Sequence, residues 1–321
     1  MTKSKLPAVS FALALCLMGM ARSYATPIKP QHVPANPAWV LHIDWAAARP
    51  TLLGHFFLDE LNKPDSRAKL AEFDSLFKLD SRKEVRGITL FNTGKEPSDG
   101  TLLLYVDYKA DRLAALPARA MDYQGSKHGK FVIHSWIDEK KGGRKDQKRR
   151  VYSAMHPAGV LIFSQSRSSV VVALDVIDNA ASNLSSNPAF AKIANSNGAT
   201  LVDGAARKLD AGSSEPSAAV FKLAKMIRLQ ISESDRHISA TLNLDVDDED
   251  VATRISGVAR ALISLLALQS EKPEVSKIAD AISLKRDGGG VSAILNMPAD
   301  ELVAMLKAAT DRKEKGKVKE N

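Results

Sequence analysis

The sequence predicts an α+β fold: antiparallel sheets with helices on one face, built from repeated strand-strand-helix units and arranged as two similar lobes. Three observations predict it. Apolar and polar residues alternate with period two over short runs, the pattern of a strand that is dry on one face only. Neighbouring runs are joined by short turns, which connect antiparallel strands and not parallel ones. After each set of runs the apolar spacing changes to three and four residues, and a polar or acidic residue opens the helix.

The chain opens with a segment that reads as an export leader. Lys3 and Lys5 precede an uncharged apolar stretch over 6–21, and Ser23-Tyr24-Ala25 supplies the small-x-small pattern cut by a leader peptidase. The stretch is shorter than the roughly 20 residues that span a bilayer. Cleavage after Ala25 leaves 296 of the 321 residues and lowers the net charge from +8 to +5, because Lys3, Lys5 and Arg22 depart. The single cysteine, Cys16, departs too, and the residue before it is Leu15 where lipid attachment needs a small one. A cysteine-free mature chain excludes disulfides, thiolate metal sites and cysteine nucleophiles.

The elements follow in order. A proline-rich lead-in over 26–37 is expected to be extended. Over 39–45, Trp39, Leu41, Ile43 and Trp45 share one strand face, with Val40, His42 and Asp44 on the other. Helical spacing over 51–79 breaks at Pro64 into two helices. The first unit places strands at 87–91 and 101–106, Asp107 as cap, and a helix to Arg119. The second places strands at 131–137, 151–155 and 160–163 before a helix at 167–179. Pro188 opens a short helix over 188–194. The third unit has strands at 226–231 and 238–245, where Ile238, Ala240, Leu242 and Leu244 alternate with Ser239, Thr241, Asn243 and Asp245. Its helix, 249–268, begins in a run of acids suited to a helix N-terminus. Arg254 and Arg260 interrupt that helix, so it reads as a buried core helix and not a membrane span. The fourth unit has strands at 282–284 and 291–295 around Asp287-Gly288-Gly289-Gly290, then a helix at 298–309. The resulting organisation is a leader at 1–25, an N-terminal lobe at 26–180, a linker with a short helix at 181–217, a C-terminal lobe at 218–310 and a charged flexible tail at 311–321.

The chemistry in the sequence is sparse. No hydrolase elbow, dinucleotide loop or zinc-protease helix motif is present. Gly125 to Lys130 reads GSKHGK, one residue short of a phosphate loop, and is a hairpin turn by pattern. The acids at 245–250 lack the glycine and the distal glutamate of a calcium loop. His42, Asp44 and His134, with Ser135 and Ser153 nearby, are the candidate catalytic residues. A Ser/His/Asp or two-His/Asp arrangement forms only if their strands meet. Otherwise the histidines are sheet residues and Asp44 caps the segment after its strand. No metal site and no cofactor are expected. The remaining candidate binding group is the basic run Lys140, Lys141, Arg144, Lys145, Lys148, Arg149 and Arg150. It suits polyanions, but it holds no aromatic residue on which a base could stack, which disfavours specific nucleic-acid binding.

The stretch AWVLHIDWAAARPTLLGHFF, the later GITLFNTG and the recurring strand-helix units resemble uncharacterised exported proteins of environmental bacteria, of the planctomycete and verrucomicrobial kind. That resemblance implies export and a style of fold and carries over no activity. The functional expectation is a non-enzymatic binding or scaffolding protein of the cell envelope, periplasmic or extracellular, whose partners are envelope components or polyanions. The alternatives are a hydrolase of envelope or environmental polymers using His42, Asp44 and His134, and polyanion binding through the basic loop.

Overall fold

The computed structural model describes residues 25–94, 96–107, 120–139, 148–194, 200–207, 221–268 and 273–319. After a 3-10 turn at Pro30–His32 come β1 (Trp39–Ile43) and four helices: α1 (Trp45–Ala48), α2 (Leu52–Asn62), α3 (Pro64–Phe77) and α4 (Ser81–Glu84). Then follow β2 (Val85–Asn92), β3 (Gly100–Val106), β4 (Gln124–His128), β5 (Phe131–Glu139), β6 (Lys148–His156), β7 (Val160–Ser164), α5 (Arg167–Ile177) and α6 (Ala191–Ala194). The remainder comprises β8 (Thr200–Arg207), β9 (Met226–Ser234), β10 (His237–Asp245), α7 (Glu249–Ala267), α8 (Pro273–Asp280), β11 (Ile282–Asp287), β12 (Gly290–Pro298) and α9 (Ala299–Lys319).

The twelve strands of the described residues belong to one antiparallel sheet, in the order β11-β12-β10-β9-β8-β1-β2-β3-β7-β6-β5-β4. The α+β class and the antiparallel pairing therefore stand, while separate sheets do not. The join is β1 against β8, with Val40 opposite Ala205 and His42 opposite Asp203. Strand β8 lies inside the segment expected to be a linker. Its sequence, TLVDGAAR, lacks the branched alternation of a surface strand, and it is held by neighbours on both sides. Strand β4 also has no periodic signal, because its residues are mostly exposed at the sheet edge.

Helices cover both faces, which corrects the one-face expectation. On one face Val40, Phe91, Leu103, Tyr105 and Ile162 pack with Val170, Ala173, Leu174 and Ile177 of α5 and with Ile28 and Val33 of the lead-in. The lead-in is thus part of the core and not merely extended. On the opposite face Leu104, Trp136 and Leu161 pack with Leu53 and Phe77, and Leu302 and Leu306 of α9 join the same cluster. Further along that second face Ile227, Leu244 and Val291 meet Ala252 and Ile255 of α7. Strand β10 alternates as expected, with Ile238 and Leu244 buried and Ser239, Thr241 and Asn243 half-exposed on the first face.

Strand β1 departs from its pattern. Val40 and His42 are buried, whereas Trp39, Leu41 and Ile43 are only half-buried, and Trp45 begins α1 instead of extending the strand. A central strand covered on both sides does not keep the solvent-facing polarity its residues suggest. The tail expected to be flexible is helical to Lys319 in α9. The helix placed after Asp107 lies outside the described residues.

Candidate functional site

His42 sits in the middle of β1 with its ring edge against Tyr105. Its Nδ1 is 2.8 Å from Thr89 Oγ1 and its Nε2 is 2.7 Å from the backbone oxygen of Thr26. A carbonyl only accepts, so this network assigns the proton of the neutral ring to Nε2 and leaves Nδ1 to accept from the threonine hydroxyl. Burial pushes the His42 pKa down, opposed in part by the Thr26 carbonyl and by Asp44. Asp44 follows the strand and is fully buried. One carboxylate oxygen accepts from Ala47 N at 2.9 Å and so caps α1; the other accepts from Thr26 N at 2.7 Å. Both side chains are spent on holding residue 26 and starting a helix.

His134 is elsewhere. It lies on β5, five strands from β1, and on the face that carries Trp136, opposite the face that carries Val40 and His42. At ~4.8 Å per strand the separation is about 24 Å. Its Nδ1 is 2.9 Å from the Tyr123 hydroxyl, and burial lowers its pKa. His42, Asp44 and His134 therefore do not converge, and a hydrolase site made from the three is overturned by this geometry. Ser153, in register with His134, and Ser135 are buried in the same hairpin.

Of the basic run, Lys140, Lys141, Arg144 and Lys145 lie outside the described residues. Lys148, Arg149 and Arg150 begin β6. Arg150 reaches the side chain of Asp122 and Ser135 Oγ, and Arg149 stands opposite Asp138 in the ladder. The tryptophans form no exposed row, since Trp45 and Trp136 are buried in the core. The GSKHGK segment makes the β4–β5 hairpin, with Gly129 at φ +53° in the turn.

Two cavities open on the C-terminal half of the sheet. One, of about 110 Å³ on the first face, is lined by Lys192, Ile193, Asp203, Arg228, Gln230 and Asn243. Its lining carries Lys192 and Arg228 against Asp203, and the Arg228 guanidinium is forked onto Asp245 with two contacts of 2.7 Å. The other, of about 140 Å³, lies between α7 and the second face. Leu242 and Leu244 of β10, Leu284 of β11 and Val291 and Ala293 of β12 form its floor. Ile255, Ala259 and Leu262 of α7 form its roof, and Phe221 closes one side. Every lining residue is apolar.

Helix α7 is not a buried core helix. Only Ala252 and Ile255 are buried. The same apolar stripe runs on through Val258, Leu262, Leu265 and Leu266 to Leu268, with Leu265 61% and Leu268 76% exposed. The sequence held a signal of this: leucine, isoleucine and valine recur around α7 over a wider arc than one sheet face can cover. Among the described residues no helix is long and apolar enough to cross a membrane.

No family model matches the sequence, and no curated protein matches it. Among solved structures the chain is similar to TP0453, a Treponema protein. Crystal form III of TP0453 aligns with a TM-score of 0.51 at 10% identity, covering 88% of this chain and 99% of that chain. Crystal forms IV and I align with TM-scores of 0.48 and 0.46 at 10% and 11% identity, each again covering 88% of this chain. At these identities the likeness is one of fold.

Proposed function

We propose that the chain is an exported, non-enzymatic binding protein of the cell envelope, and that its ligand is an elongated apolar molecule such as an acyl chain, taken up between α7 and the sheet. The observation that carries this reading is the wholly apolar cleft that continues into an exposed leucine stripe. A cleft of this size lined by apolar residues has room for a group about as large as benzene. The stripe beyond it gives the rest of a long chain somewhere to lie, since large exposed apolar patches mark binding surfaces. The lining offers no acid, base or nucleophile, which favours binding over catalysis.

Strand order also supports reading the two halves as variants of one unit. Each begins at the join, runs out through three paired strands, and returns so that its last strand pairs with its third: β7 with β3, and β12 with β10. A helix, α5 or α9, follows each last strand.

The ligand is tested with dansyl-undecanoate as the probe and palmitate as competitor. Saturable one-to-one enhancement of dansyl emission, reversed by palmitate, is expected. Ala259→Phe fills the cleft and should weaken binding at least tenfold while circular dichroism stays native. Absence of saturable binding, or equal binding by a folded Ala259→Phe chain, overturns the reading. Exclusive binding to phospholipid vesicles, with no uptake of free fatty acid, overturns it in favour of a membrane surface.

A further inference from the structure

The segment after Ala25 is gripped from its first residues. Ile28 and Val33 are buried, His32 stacks on Tyr105 with ring centres 5.7 Å apart, and Pro34 bridges to Asn183. At the head of this segment Thr26 is held at both ends of its backbone, its N–H by Asp44 and its carbonyl by His42. Gly87 makes the space: a Cβ there would stand 3.1 Å from the Thr26 methyl and 3.3 Å from the His42 ring. Asp44 is fully buried, and its two oxygens each accept from a backbone amide. Among the described residues no lysine or arginine makes an ion pair with it. A buried carboxylate without a countercharge is costly, and the one donor placed to become a cation is the Thr26 nitrogen.

We propose that Asp44 is the receptor for the amino terminus of the exported chain: the leader is cut between Ala25 and Thr26, and the ammonium released on Thr26 pairs with the buried Asp44 carboxylate. The cut is a hydrolysis by a leader peptidase and consumes one water. The Ala25 carbonyl becomes a carboxylate that leaves with the leader, and the Thr26 nitrogen becomes an ammonium with three donors in place of one. No rearrangement is needed, because that nitrogen already lies 2.7 Å from the acceptor oxygen. A hydrogen bond from a neutral amide to the carboxylate becomes an ion pair in which both partners are charged, so the folded state gains this stability only after processing. This gives His42 and Asp44 one shared task, the orientation and neutralisation of the new terminus.

The pH dependence follows from the groups around the pair. His42 faces Thr26 from β1 and Tyr105 of β3 lies against His42, with Lys29 Nζ 5.2 Å from the Tyr105 ring centre. Burial holds the His42 pKa below its ordinary value and raises that of Tyr105 above its own, so neither changes charge as a terminal amine titrates. A terminal amine ordinarily titrates near pH ~8. Pairing with Asp44 raises that value in the folded state. The added stability is thus fully present below the unfolded pKa and is lost as pH rises through the folded one.

Every contact described above lies within residues 25–321, so chains of 26–321 and 25–321 can be compared directly. Mass spectrometry of the exported protein should find Thr26 first. At neutral pH the 26–321 chain should melt several degrees above the 25–321 chain, and the gap should close in alkali. Asp44→Asn keeps an oxygen for the Ala47 cap and should abolish the gap at every pH. The amine of nitrogen-15-labelled Thr26, titrated by NMR in the unmutated chain, should show a raised pKa, a readout that does not depend on the variant folding. Another first residue, equal melting of the two lengths at neutral pH, a gap that survives Asp44→Asn, or an ordinary amine pKa would each overturn the proposal.

Discussion

At the level of single residues this fold spends its polar groups on its own backbone. Thr51 caps α2 by accepting from Gly54 N at 3.0 Å, and its hydroxyl donates to Ala48 O at 2.7 Å. This turns α1 tightly onto α2, and Gly54 sits at the crossing. A Cβ on Gly54 would lie 1.8 Å from the Ala48 carbonyl oxygen, which is backbone and cannot swing aside. Replacing a helical glycine with alanine ordinarily gains roughly 1 kcal/mol. Here the sign reverses, and Gly54→Ala should lose about 2 kcal/mol or more in urea unfolding. A neutral or stabilised variant would show that the α1–α2 crossing is looser than described. His42 and Asp44 teach a related lesson. Their spacing on a strand was legible as a polar pair, but their partner, residue 26, comes from an irregular segment whose position no local period encodes.

At the level of elements, helices α5 and α7 have similar apolar stripes and opposite fates. In α5 the residues at 170, 173, 174 and 177 meet strands across their whole length, and Val170, Ala173 and Leu174 are fully buried. In α7 the stripe is buried only in its first turns and then leaves the sheet behind. Leu174→Ala should therefore cost about 3 kcal/mol through lost transfer energy and a residual cavity. Leu265→Ala should change stability by less than about 0.5 kcal/mol. Equal costs in denaturant melts would mean that α7 is covered in solution by something seated on its stripe. Periodicity alone placed both helices and most strands, including the break at Pro64 and the 287–290 turn. It could not say which stripe is covered, because coverage depends on where the sheet ends. It missed β8 for the converse reason: a strand buried by its neighbours needs no alternation, and alanine, glycine and aspartate there resemble a loop.

At the level of the whole molecule, the two lobes expected from the sequence give way to one continuous sheet. The β1–β8 ladder makes one sheet of both halves, and the second face adds two stitches across the join. Leu302 and Leu306 of α9 share a core with Leu58 and Leu61 of α2. Glu233 of β9 accepts from Leu52 N at 2.8 Å and Leu53 N at 3.0 Å, placing a carboxylate on the N-terminus of α2, where the helix dipole favours it. Such a molecule should unfold in one step. The composition supplies a clean probe, because the tryptophans, Trp39, Trp45 and Trp136, and every tyrosine precede residue 200. Tryptophan fluorescence thus reports the N-terminal half and the join, where Trp39 stands opposite Ala206, while backbone circular dichroism reports the whole chain. The two denaturation curves should share one midpoint. Glu233→Gln, made in the half that has no tryptophan, should lower the fluorescence midpoint by an amount worth about 1.5 kcal/mol, since a charged hydrogen-bond acceptor at a helix start is replaced by a neutral one. Two separated midpoints, or a fluorescence curve blind to Glu233→Gln, would mean that the halves fold independently and that the β1–β8 ladder is a contact between lobes instead of the centre of one sheet.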